Sequence, residues 1–114
     1  MNYKLKSFDD RLNESTKILK KYPDRIPIIL QKYDNNAPHL EKYKYLVSSD
    51  TTFGSLLYSI RNNTKLKPSE AIFLSINGKM CSTSMLIKEI YETEKEKDNF
   101  LYISFSCENT FGDF

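Results

Sequence analysis

Tryptophan is absent from this 114-residue chain, histidine occurs once, cysteine twice and glycine three times. The missing tryptophan excludes little. The thin supply of metal ligands excludes more. Cys81 and Cys107 have no C-x-x-C spacing and no histidine cluster near them, which argues against a zinc site. No phosphate-cradling glycine loop, metal cluster or acid/base pair is present, which argues against an enzyme. No apolar run reaches 18 residues, no apolar leader opens the chain, and no C-a-a-X box closes it. Asn2 stands where N-myristoylation needs glycine. The expectation is a cytoplasmic protein with reduced thiols. Asn13-Glu14-Ser15 and Asn62-Asn63-Thr64 match the glycosylation sequon only by chance on that view.

What is present points to one folded domain. The 15 aromatic residues suit a globule rather than disorder. The net charge is only +2, but residues 1–61 carry 11 Lys/Arg against 7 Asp/Glu, and residues 62–114 carry 6 against 8. No basic run is dense enough to indicate nucleic acid. Monomer is the default expectation.

The most apolar stretch is Leu101–Ser106, which reads as a buried strand. After it come eight mostly polar or flexible residues with one glycine near the end. The expected division is a domain over 1–106 and a flexible C-terminal tail over 107–114, either a frayed end or an end handled by other proteins. Upstream, residues 1–6 suit a short helix or arm. Ser7-Phe8-Asp9-Asp10 predicts an N-cap at Ser7, and Phe8, Leu12, Ser15 and Leu19 give one inward face that ends at Tyr22-Pro23. Arg25–Lys32 predicts a strand with Pro27 marking a sheet edge or a strand start. Lys44–Ser48 predicts a second strand, and Phe53, Leu56, Leu57 and Ile60 an amphipathic helix capped from Asp50-Thr51-Thr52. Ala71–Ile76 predicts a third strand, Asn77-Gly78 a type I′ turn, and Thr83 the cap of a last helix. Lone His39 reads as a surface residue. This order is α+β, the plan of a ubiquitin-like β-grasp with an extra N-terminal helical layer, its last strand central and parallel to the first.

Four stretches in sequence, Lys21-Tyr22-Pro23-Asp24-Arg25-Ile26-Pro27, Lys44-Tyr45-Leu46-Val47, Asp98-Asn99-Phe100-Leu101-Tyr102 and Glu108-Asn109-Thr110-Phe111-Gly112, resemble the autophagy ubiquitin-like modifiers related to the GABA-receptor-associated protein. The resemblance runs from about Phe8 to Gly112 and implies a ubiquitin-like β-grasp with two additional N-terminal helices. It implies a processing cysteine protease that cuts between Gly112 and Asp113. Activating and conjugating enzymes would then carry the Gly112 carboxylate to the amine of phosphatidylethanolamine, anchoring the protein on autophagosomes. The chain would be the substrate of this chemistry, with no cofactor and no catalytic residue of its own; Cys107 reads as a strand-end thiol.

The resemblance also implies receptors with aromatic-x-x-aliphatic motifs that add as a strand at Tyr45–Ser48. The aromatic pocket would be Glu14, Ile18, Pro27, Ile29, Lys44, Leu46 and Phe100. The aliphatic pocket would be Tyr45, Val47, Ser48, Thr51, Leu56 and Ser59. Ser48, Thr51 and Ser59 depart from the apolar residues usual in the family, a loss of about 1–2 kcal/mol of motif affinity. Arg25, Lys42 and Lys44 would meet the motif's acidic residues. A further family surface on Ile72–Ser75 is not expected here, because Ser75 replaces an aromatic residue. The competing expectation is an unconjugated ubiquitin-fold adaptor in vesicle trafficking or cytoskeletal binding.

Overall fold

The computed structural model describes residues 2–33, 37, 39–67 and 69–107. A 3-10 turn at Tyr3–Leu5 leads into α1 (Phe8–Lys21), followed by β1 (Arg25–Lys32), β2 (Lys44–Ser48), α2 (Phe53–Asn62), β3 (Phe73–Ser75), α3 (Ile87–Glu94) and β4 (Leu101–Ser106). The sheet order is β2-β1-β4-β3. β1 and β4 run parallel at the centre, and β2 and β3 are antiparallel edges. The two expected N-terminal helices are therefore one three-residue turn and one full helix.

Local signals explain most boundaries. The Ser7 hydroxyl oxygen accepts the Asp10 N–H at 3.1 Å, and Thr52 accepts from Ser55 at 3.1 Å, each satisfying a helix-start donor. Asn77 and Gly78 both have positive φ, 52° and 79°, and Ile76 and Lys79 exchange backbone hydrogen bonds at 2.8 and 3.0 Å around them. That is the type I′ geometry expected of Asn-Gly.

Four expectations need correction. Pro27 sits on an internal strand, not on an edge or at a start. The Leu30 N–H points to β2, bonding Tyr43 O at 2.7 Å, so by alternation the missing N–H of Pro27 lies on the β4 side. The β4 ladder begins only at Ile28–Leu101, and no bond is lost. Thr83 does not cap α3. Its carbonyl takes the Gly54 N–H at 3.0 Å, and Met85 O takes the Phe53 N–H at 2.8 Å, so this segment is spent on the start of α2. A Cβ on Gly54 would come within 3.2 Å of Thr83, which is why glycine suits the crossing. The third strand is only Phe73–Ser75. On α1, Phe8 is exposed, and Ile18 rather than Leu19 packs on the buried aromatic cluster described next.

The sheet separates two clusters. Ile26, Ile28 and Leu30 of β1 face α2 and α3, with Phe53, Leu56, Ile60, Ile87 and Ile90 opposite. Ile29 faces the other way, into a smaller cluster of Tyr3, Phe100 and Tyr102 under α1. This alternation is the period of two that a strand imposes.

Candidate functional site: the β2 edge and its two flanks

β2 forms one edge of the sheet among the described strands. Its register places Lys44 against Ile29, Tyr45 against Ile28, Leu46 against Pro27 and Val47 against Ile26. Lys44 and Leu46 therefore share the α1 face with Ile29 and Pro27, whereas Tyr45 and Val47 join the α2–α3 face. One exposed edge thus borders two different environments.

On the α1 flank, the expected aromatic-pocket residues come together. Ile29 and Phe100 are buried in the aromatic cluster, with Ile18 packed on it, and Leu46 is half-buried beside Pro27. Glu14 lies at the mouth. Its Oε2 accepts from Lys44 Nζ at 2.8 Å, its Oε1 from Lys6 Nζ at 3.3 Å, and the Tyr3 hydroxyl also donates to it. Partial burial raises the Glu14 carboxyl pKa, but the hydrogen bonds from Lys44 and Tyr3 outweigh it, and the group sits below its ordinary range. Burial first, and the Glu14 carboxylate second, push the Tyr3 phenol well above its usual value. Tyr3 is the residue that the sequence reading missed. A lone tyrosine in a six-residue arm carries no periodic signal of burial.

The other flank mixes core and exposed residues. Leu56 and Tyr45 are core residues, and the Tyr45 hydroxyl accepts from Asn63 Nδ2 at 3.3 Å, tying β2 to the end of α2. Val47 is half-buried against the core; Ser48 and Ser59 are exposed, and Thr51 is half-buried. Cations mark both ends of the edge. Arg25 pairs in register with Ser48, and at the other end Lys42 lies 4.4 Å over the Tyr45 ring beside Lys44. Gly112 and Asp113 lie outside the described residues. His39 is exposed, as expected.

A four-stranded mixed sheet with parallel central strands, helices α2 and α3 on one face and a helical N-terminal layer on the other, defines a ubiquitin-like α+β protein. The family model described as "Autophagy protein Atg8 ubiquitin like" matches residues 10–112. Autophagy-related protein 8 of Schizosaccharomyces pombe is 49% identical over 107 residues, covering 93% of this chain and 88% of the relative. That of Mycosarcoma maydis is 48% identical, covering 93% and 91%. The crystal structure of Trypanosoma brucei ATG8 superposes with a TM-score of 0.87 at 34% identity and covers 98% of each chain. The chain belongs to the Atg8 family of autophagy ubiquitin-like proteins.

Proposed function

We propose that this protein is a lipid-conjugated modifier and adaptor of autophagic membranes. A cysteine protease cuts after Gly112, removing Asp113-Phe114. Activating and conjugating enzymes then transfer the Gly112 carboxylate to the amino group of phosphatidylethanolamine. Glycine suits this step because, without a Cβ, its carbonyl can enter a narrow active-site channel in any backbone conformation. No helix among the described residues is long and apolar enough to cross a membrane; the two acyl chains of a conjugated phosphatidylethanolamine supply stable anchoring. The protein starts in the cytoplasm and becomes fixed to autophagosomes once conjugated.

The observation that carries the adaptor half is the split environment of β2. In an extended peptide, residues i and i+3 point to opposite faces. A receptor strand added to β2 thus sends its aromatic residue toward Glu14, Ile18, Pro27, Ile29, Lys44, Leu46 and Phe100. Its aliphatic residue goes toward Tyr45, Val47, Ser48, Thr51, Leu56 and Ser59. The x-x spacing of the motif is what an edge with pockets on both faces requires. Acidic residues flanking the motif meet Arg25, Lys42 and Lys44, each exposed pair contributing roughly 0.2–1 kcal/mol.

The test is intact-mass measurement of the protein recovered from cell membranes, with Gly112→Ala beside it. The expected result is loss of Asp113-Phe114, gain of one phosphatidylethanolamine, and no membrane-bound pool for Gly112→Ala. A full-length unmodified mass in every fraction overturns the modifier reading in favour of an unconjugated adaptor, and normal lipidation of Gly112→Ala overturns Gly112 as the conjugated residue.

A further inference from the structure

Tyr3 touches three of the seven residues assigned above to the aromatic pocket. Its ring meets Phe100 edge-on, 5.2 Å between centroids, its hydroxyl donates to Glu14, and Lys44 Nζ lies 4.8 Å over its face. Tyr3 and Phe100 are each 2% exposed and Ile29 1%. The floor of the pocket is therefore covered, and Tyr3 is one of the groups covering it. The turn that delivers it is tied to α1 and β4: the Lys6 carbonyl accepts from Arg11 Nε at 3.2 Å, Lys6 Nζ reaches Glu14 at 3.3 Å, and Lys4 Nζ lies 4.4 Å over the Tyr102 ring. The Lys6 N–H closes the turn on Tyr3 O at 3.1 Å, and Lys4 reaches Glu96 at 2.7 Å in a half-exposed pair. Its last residue, Leu5, is 85% exposed. Tyr3 is the one residue of this turn that is buried.

We infer that Tyr3 is a further, specificity-determining residue of the peptide-binding site: its ring limits how deeply a partner's aromatic side chain enters and so holds down the preference for indole over phenyl. This rests on the peptide-docking reading above. The partly exposed walls left to a ligand are Glu14, Ile18, Lys44 and Leu46, and the Tyr3 ring already occupies the edge of Phe100. An indole has a second ring to bury, and the space for it beside Phe100 is held by Tyr3. Tyr3→Phe removes the hydroxyl while the ring stays, which separates shape from charge.

The test is calorimetric titration with three synthetic peptides that share an acidic stretch and end in Phe-x-x-Leu, Trp-x-x-Leu or Ala-x-x-Leu. The proteins are wild type, Tyr3→Phe, Tyr3→Leu and Tyr3→Ala, each checked for folding by thermal melting. Tyr3→Leu keeps an apolar contact on Phe100, so one small side chain remains testable if alanine unfolds the arm. The expected result is that Tyr3→Phe keeps the wild-type ratio of Trp to Phe affinity, while Tyr3→Leu raises it about tenfold, the scale of a changed hydrophobic pocket. An unchanged ratio in Tyr3→Leu, with wild type still preferring both aromatic peptides to the alanine peptide, overturns this inference and leaves the docking reading standing. A wild type that treats all three peptides alike overturns both.

Discussion

On the α2–α3 side of the sheet, Ile28, Leu30, Ile103, Ile60, Ile87 and Ile90 meet with almost no polar atom among them. On the α1 side, Asp98 is buried and accepts from Arg11 Nη1 at 2.6 Å, the Tyr102 hydroxyl at 2.5 Å and the Phe100 N–H at 3.0 Å. Ser15, fully buried on α1, donates to the Asp98 carbonyl at 2.6 Å. Glu14 gathers Lys44, Lys6 and Tyr3 at the mouth of the same face. Apolar burial is non-directional and insensitive to pH, whereas a buried charge is stable only while its partners stay in place. The first side is therefore a fixed scaffold. The second is a layer whose seating depends on named polar contacts, and the proposed aromatic pocket lies there.

The sharpest test of the scaffold is Ile103→Ala. This residue is completely buried on β4, and truncation leaves a cavity costing about 4 kcal/mol. Denaturant unfolding should give the same loss at pH 5 and pH 8. Asp98→Ala comes next, at about 3 kcal/mol, because Arg11 and Tyr102 lose the carboxylate they were buried against. If its measured cost falls below 1 kcal/mol, the α1 layer is seated by packing and the contrast fails. Ser15→Ala is smaller. It removes one neutral donor from the Asp98 carbonyl, about 1 kcal/mol, and a double mutant with Asp98→Ala should be less than additive, since both hold α1 to the same turn.

The apolar side was the more legible in the sequence. The strands β1, β2 and β4 and the inward face of α2 were legible from apolar runs and helical spacing carried by Ile, Leu and Phe, the central parallel place of β4 followed from the β-grasp order, and Asn77-Gly78 carried its own turn chemistry. The α1 side was legible only in part. Phe8, Leu12, Ser15 and Leu19 suggested an apolar face, yet the helix is held through Ser15 and Arg11 to Asp98, and polar partners far apart in sequence leave no periodic trace. The same holds for Thr83, whose hydroxyl looked like a cap while its carbonyl was needed by Gly54. Pocket membership of Glu14, Lys44 and Phe100 came from the family resemblance alone. The structure brings those three together around a tyrosine that neither periodicity nor resemblance singled out.

The smallest expected effect separates the two sides by pH. The Glu14 carboxyl has its pKa lowered from the ordinary 4.5 in the folded protein, burial opposing the shift and Lys44 and Tyr3 outweighing it. A group with a depressed folded-state pKa contributes stability that is fully present above its unfolded value and lost as pH falls through the folded one. Glu14 should therefore stabilise the fold above about pH 5 and lose that contribution in the acid range below 4.5. Its side chain is 27% exposed, so screening leaves about 0.5 kcal/mol. Stability measured from pH 6 down to pH 3 should fall less steeply in Glu14→Gln than in wild type, and the two curves should converge at the acid end. Parallel curves would mean that Lys44 and Tyr3 hold Glu14 no more tightly than water does, and the mouth of the α1 face would then be open to a ligand at no electrostatic cost.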